Sequence, residues 1–363
     1  MADGSDIRVS PGGVGDAAGR VPGRGWQGSR ALRPLLLLLR SEYLVLGLTV
    51  LYLLAMWPIV PEIATPDNLG NIGSELLPLF IAATGQMFVL VTGNVDLSAT
   101  SIMAFASVVG ASLMTDEGGY LAGSPLAVPA ACIAILAIGA AIGWVNGMCV
   151  AVLRMPSFIV TLATMMFFSG AAIWYTAAHT SEGSSIGSLP DGFLAIGEEG
   201  AFGVPYALAI TLVVGIGAHL VLSRSVFGRW LLATGLSTRA ASVSGVPVGR
   251  VLVTGFMASG ALSALAAIIY TGRLEAGTPV LGQRILLDMI GAAVIGGVSL
   301  FGGKAKVTWV LFGVVFLSVV DNGLQLLGLS LFSVYAIKGA LILLAAVTDV
   351  LRQRLLSRAD AHG

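Results

Sequence analysis

Four polar residues, Gln86, Asn94, Asp96 and Ser98, fall within one short stretch, Q-M-F-V-L-V-T-G-N-V-D-L-S from Gln86 to Ser98, and a long apolar run enters and leaves it. Asn94 offers donors and acceptors together, which suits hydroxyl groups passing by. Gln86 lies about two helical turns earlier and shares that face if the helix persists. Asp96 and Ser98 have two readings. They either touch a polar solute or cap the following helix, their oxygens accepting from its orphan N–H groups. In both readings the segment is broken. A carboxylate at the centre of a membrane helix costs about 2.5–3.5 kcal/mol, and an unwound backbone at that depth survives only inside protein or beside water. The break therefore points to a pathway for something polar.

Other candidates are scattered. Asp288 and Lys338 fall in apolar spans, where each would be costly alone; mutual pairing, or pairing with Asp321, is expected, with substrate contact by Asp288 as the alternative. Asn146, Asn322 and Gln325 read as interhelical hydrogen-bond residues. Phe158 and Thr161 begin a span, as core packing or as a gate on the pathway. Cys132 and Cys149 read as reduced packing residues, and His179, His219 and His362 form no ligand spacing, so no metal is expected.

The elements that carry these residues are membrane spans. Hydrophobic residues make up 56% of the 363 and charged residues only 10%, against about 25% in soluble domains. Mean hydropathy is +0.92, and the 48 glycines suit close helix packing in lipid. Apolar runs fall near 43–60, 71–92, 98–114, 125–153, 157–178, 204–222, 250–271, 284–301, 307–323 and 332–350, each near the roughly 20 residues a span needs. The expectation is an all-α polytopic membrane protein with about ten transmembrane helices and a helix broken near 92–98, though 70–114 could instead be re-entrant. Residues 1–42 read as a disordered cytoplasmic tail, 43–350 as the transmembrane domain and 351–363 as a second cytoplasmic tail.

Ten spans put both termini on one side. With the tails and the loops at 154, 223–250 and 302–306 placed in the cytoplasm, only Arg273, Arg284 and Lys338 of the nineteen Lys and Arg residues lie elsewhere. The opposite side carries one long loop, 179–203, with Glu182, Asp191, Glu198 and Glu199, read as a solvated acidic connector or a docking surface. The inner loop, Ser223 to Gly249, contains a short helix from Thr238 to Ser244 with Ser237 as its cap and Gly245 as its stop. Ala240 and Ala241 give that helix a smooth face for a partner's groove, and a surface turn stabilised by Arg239 is the plain alternative. No excess of basic charge on an exposed domain suggests nucleic acid. No GxxxxGK[ST] loop is present, so ATP hydrolysis on this chain is not expected. One internal echo stands out: Gly93-Asn94-Val95-Asp96-Leu97 against Gly296-Gly297-Val298-Ser299-Leu300, each ending an apolar run, as in transporters built from two related halves.

Three stretches resemble one family. T-G-N-V-D-L-S-A-T-S at 92–101 resembles the G-G-x-D-L-S-x-G-S motif of ribose-type (monosaccharide) ABC importer permeases, the inner-membrane components of binding-protein-dependent transport systems. R-M-P-S-F-I-V-T-L-A-T-M at 154–165 is similar to that family's P-x-F-I-x-T-L segment. From Phe227 to Asp349 the blocks F-G-R, A-A-x-x-S-G-V, L-D-x-I-x-A-A-V-I-G-G-x-S-L-x-G-G, D-N-G-L and I-K-G-A keep the family's order. Asn94 stands where the family usually has Gly, Ala99-Thr100 where a hydrophobic residue and Gly are usual, Ser237 replaces Asn, and Lys304-Ala305-Lys306 replaces a Gly-rich stretch.

The resemblance implies a permease fold related to vitamin B12 importer permeases, in the bacterial plasma membrane. It implies import of a pentose or hexose, or of a furanone signal, nucleoside or sugar alcohol. It implies a cytoplasmic ABC ATPase that holds ATP and Mg, an extracytoplasmic substrate-binding protein, and a second permease as homodimer or heterodimer. This chain itself is then no enzyme and carries no cofactor. The ATPase would engage Arg239, Ala240, Ala241, Ser244 and Gly245. The rivals are an ion-coupled secondary transporter, whose acidic relay could only be Asp96 with Asp288, and an intramembrane enzyme, for which no HExxH or Ser/His arrangement is found.

Overall fold

The computed structural model describes residues 43–180, 184–201 and 203–360, with backbone alone from 348 onward. The expected tail at 1–42 lies outside the described residues, as does Glu182. The helices are α1 (Leu44–Met56), α2 (Pro66–Leu90), α3 (Ala99–Met114), α4 (Ala127–Ala151), α5 (Ser157–His179), α6 (Asp191–Glu198), α7 (Tyr206–Arg224), α8 (Val226–Leu236), α9 (Thr238–Val243), α10 (Val248–Arg273), α11 (Leu286–Gly296), α12 (Val307–Leu326) and α13 (Leu331–Asp360). A 3₁₀ turn (Pro61–Ala64) joins α1 to α2, and a two-strand hairpin, β1 (Gly200–Ala201) and β2 (Val204–Pro205), follows α6. Among the described residues six helices, α2, α4, α5, α7, α10 and α12, are long and apolar enough to cross a membrane. Four shorter apolar stretches, in α1, α3, α11 and α13 (Leu331–Val347), occupy other positions where spans were expected. The last helix continues to Asp360 with no break at 350.

Burial sorts these helices. The apolar part of α2 is 78% buried and that of α5 only 17%, so α2 is the axis of the bundle and α5 presents most of its apolar surface outward. With no hydrophobic drive between helices in lipid, close packing must come from small residues, and α4 against α10 shows it. Gly139, Gly143 and Gly147 recur every fourth position of α4; a Cβ at these sites would run into Gly260 O, Phe256 O and Val253 Cα of α10, respectively. This backbone-to-backbone seam brings Asn146 of α4 and Ser259 of α10 to the same level of the core.

The described part of the 179–203 loop packs onto the bundle while Asp191, Glu198 and Glu199 stay exposed. Thr115 Oγ1 donates to Gly187 O at 2.8 Å, Ile186 bridges to Gly277, and α6 buries Phe193 completely while Gly197 meets Gly272 of α10. The bundle thus has two ends. The C-terminal ends of α2 and α11 lie at one, with α8 and α9. The N-terminal ends of α2, α11 and α13 and the C-terminal ends of α10 and α12 lie at the other.

Candidate functional site

The break forms where helix-compatible sequence runs out. Val91 to Gly93 make a turn, Gly93 takes a left-handed φ of +78° that favours glycine, and α3 starts again at Ala99. The chain turns back so that Asp96 reaches the level of Gln86. With its amide nitrogen facing the Asp96 carbonyl, Gln86 donates to Asp96 O at 3.0 Å and accepts from Asp96 N at 3.2 Å. The unwound peptide is therefore satisfied by a side chain, as an interior break requires.

The Asp96 carboxylate is fully buried and has no free oxygen. Oδ1 accepts from Ser98 N at 2.9 Å and from Ser98 Oγ at 2.6 Å. Oδ2 accepts from Ser259 Oγ at 2.9 Å. Asn146 Nδ2 then donates to Ser98 Oγ at 2.7 Å. Among the described residues no Lys or Arg pairs with Asp96; hydroxyls and an N–H hold it instead. The capping reading does not hold: neither side chain accepts from an N–H of α3, which starts at Ala99. Asp96 accepts the N–H of Ser98, but the Ser98 hydroxyl makes no cap bond to α3, because it is turned toward Asp96. Ser259 was not singled out from sequence, although a serine between small residues (Ala258 and Gly260) in an apolar span was the available signal.

The other pathway candidates sit around this knot. Asn94 is half-buried and donates to Thr92 Oγ1 at 2.9 Å, and the helix that carries Gln86 ends at Leu90, before it. Thr161 is fully buried; its Oγ1 donates to Ser157 O at 2.9 Å and to Val95 O at 3.4 Å, tying α5 to the break, while Phe158 is 56% exposed. Below them lies a glycine junction that sequence reasoning missed. Gly303 N donates to Val91 O at 2.8 Å, and a Cβ on Gly235, in the last turn of α8, would collide with Val91 O. The first echoing segment meets the residues that follow the second here, Gly93 against Phe301 and Gly302, and the two segments share a local turn: Ser299 Oγ accepts from Phe301 N at 3.2 Å as Asp96 Oδ1 accepts from Ser98 N. Their glycines differ in register, the left-handed one being Gly93 in the first and Gly297, at φ +117°, in the second.

The inner-loop helix α9 runs Thr238–Val243, with Ser237 Oγ accepting from Ala240 N at 3.2 Å and Gly245 leaving it at φ +83°. Arg239, Ala240 and Ser244 are exposed, whereas Ala241 is buried against the bundle, so only one of the two alanines lies on an outward face.

At the far end, Lys338 Nζ lies 2.8 Å from Asp288 Oδ2 and 2.9 Å from Asp321 Oδ1, joining α13, α11 and α12. Asn68 and Asn322 exchange two amide hydrogen bonds, at 2.8 and 2.9 Å, beside it. Gln325 departs from the interhelical expectation: its Nε2 donates to Asp321 Oδ2 on its own helix at 2.6 Å, because the two are one turn apart on α12. Among the described residues no cluster of three His, Cys, Asp or Glu side chains is placed to hold a metal.

These features match known proteins over most of the chain. The family described as branched-chain amino acid transport system / permease component matches residues 68–346. The L-arabinose transport system permease protein AraH of Escherichia coli (strain K12) is 33% identical over 322 residues, 86% of this chain and 92% of the relative. The L-arabinose ABC transporter permease protein AraH of Azospirillum brasilense is 34% identical over 294 residues, 81% of this chain and 83% of the relative. The ribose import permease protein RbsC of Escherichia coli (strain K12) is 35% identical over 294 residues, 81% and 88%. No solved structure matches. With a polytopic helical fold, a braced break in its central helix and a family match spanning most of its length, the chain belongs to the branched-chain amino acid transport system / permease component family.

Proposed function

We propose that this chain is the transmembrane permease subunit of an ATP-driven, binding-protein-dependent importer of a monosaccharide, of the pentose or hexose class. The observation that carries the reading is similarity to arabinose and ribose permeases over 81–86% of the chain. The six long spans together with the four shorter apolar helices support ten crossings of a bacterial plasma membrane, with both termini and α9 on the cytoplasmic side. On this reading the architecture is related to that of vitamin B12 importer permeases. ATP and Mg belong to a partner ATPase, sugar is delivered by an extracytoplasmic binding protein, and a second permease completes the path.

Motion enters through α9, whose exposed Arg239, Ala240 and Ser244 meet the ATPase. Behind α9, the end of α8 touches the break through Gly235 and Val91, and the break touches the 297–306 loop through Gly303. A push on α9 is passed, backbone to backbone, to the segment that holds Asn94 and Asp96. Asp96 braces that segment through Ser98 and Ser259, and the path for sugar runs beside it, past Asn94 and Phe158, where the chain meets a second permease.

Uptake of a panel of labelled neutral pentoses and hexoses, into vesicles carrying the chain with its ATPase and binding protein, tests the assignment. ATP-dependent accumulation of one of them is expected, and accumulation of branched-chain amino acids with none of the sugars would refute it.

A further inference from the structure

We propose that the cavity at the Lys338 end of the bundle is a holding site for a neutral, polyhydroxylated solute of monosaccharide size, within the permease chain itself; this rests on the sugar-import reading and deepens it. The cavity lies among α2, α10, α11, α12 and α13 and measures about 410 Å³, inside the roughly 300–1,000 Å³ range of small-molecule sites.

Its charges cancel. Glu75, Asp288 and Asp321 face Arg273, Arg284 and Lys338 around one space. Three anions against three cations leave no formal net charge to favour an ion of either sign, and they supply strong acceptors and donors for hydroxyl groups. Part of this capacity is already engaged: Lys338 is held by both aspartates, and Arg273 Nη1 donates to Ser74 O at 2.8 Å. The rest is not. Among the described residues the Glu75 carboxylate and the Arg284 guanidinium, both exposed at the mouth of the cavity, and the half-buried Tyr270 hydroxyl make no hydrogen bond or ion pair, and all three line the cavity. Tyr270 and Tyr335 add aromatic faces for the C–H side of a sugar ring. A second cavity, about 270 Å³ and lined only by apolar residues such as Phe105, Ile138 and Phe168, lacks every one of these features.

Position fits the role. The cavity is at the end of the bundle opposite α9, where a binding protein would release its cargo, whereas Asp96 at the α9 end is sealed. Solute would wait here until the break moves.

The test uses the full chain in nanodiscs of fixed lipid composition, without partners, in a background with Cys132 and Cys149 replaced by alanine. Leu274→Cys, 54% exposed at the cavity rim, is labelled with a water-soluble maleimide in the presence of L-arabinose, D-ribose and a panel of neutral hexoses. A bound sugar at about ten times its dissociation constant should slow labelling roughly tenfold. Gluconate and glucosamine should protect less, and Val243→Cys, at the other end and 85% exposed, should not respond. Glu75→Gln should raise the half-protecting concentration roughly tenfold, with chromatographic monodispersity reporting that the variant folds. Labelling that no neutral sugar slows, protection that follows lipid composition alone, or protection indifferent to Glu75→Gln overturns the site. Uptake in the complete system is scored separately, so loss of the holding site is told apart from loss of sugar import.

Discussion

The two ends of the bundle hold carboxylates between helices in opposite ways. At the α9 end Asp96 has no cation among the described residues; two hydroxyls and an N–H occupy its oxygens, and the site is sealed. At the other end Asp288 and Asp321 share Lys338, and an open cavity leaves further donors and acceptors unengaged. The difference separates two jobs. Neutral donors hold one backbone segment in one shape, which suits a part that must transmit movement. A three-helix ion cluster fixes α11, α12 and α13 as a frame, which suits a part that must receive a solute.

Lys338→Met gives the largest predicted effect, because it takes the shared cation from two largely buried carboxylates: a loss of about 3 kcal/mol, read as a lower unfolding temperature in detergent. The triple change with Asp288→Asn and Asp321→Asn should recover most of it. If the single variant is as stable as the parent, the frame reading fails.

Gly143→Leu comes next, since its side chain would enter the α10 backbone at Phe256. Overpacking of about 1–3 kcal/mol or more is expected, together with loss of uptake as Asn146 and Ser259 separate. Intact uptake would show that the α4–α10 seam does not position the break.

Ser259→Ala removes one of the three bonds to Asp96, with an expected cost of about 1–3 kcal/mol and slower uptake. Here the two ends should part company: Asp96 retains Ser98, so the loss should stay below that of Lys338→Met, and the reverse order would sink the comparison.

Gly245→Val and Ala240→Arg act at α9. The valine must adopt φ +83° in otherwise open space, a strain of about 1–3 kcal/mol at most, while the arginine sits on an exposed face and should change stability by less than about 0.5 kcal/mol. Both should leave ATP hydrolysis by the partner uncoupled from uptake. Coupled transport at parental efficiency would remove α9 from the coupling route.

Much of the helical layout was legible in the sequence because apolar length is a strong signal: the runs at 125–153 and 250–271 correspond to α4 and α10. The turn at Gly93 and the capped, glycine-stopped α9 were legible for the same kind of local reason. Long-range pairing was not. Nothing in the spacing tells that Gln86 brackets the Asp96 peptide, since the chain reverses between them, or that Gly235, Val91 and Gly303 meet, since glycines in a membrane chain are common and only contact reveals their use. Ala241 was misjudged for want of a helical phase in so short a helix, and Gln325 because an i, i+4 partner on its own helix outcompeted a neighbour.

The most direct test of the central claim is the energy source of uptake in proteoliposomes. With the chain, its ATPase and its binding protein reconstituted, accumulation of L-arabinose or D-ribose should require all three and internal ATP, and should persist when an uncoupler dissipates the proton gradient at constant ATP. Accumulation by the chain alone, or collapse under the uncoupler with ATP held, would contradict it.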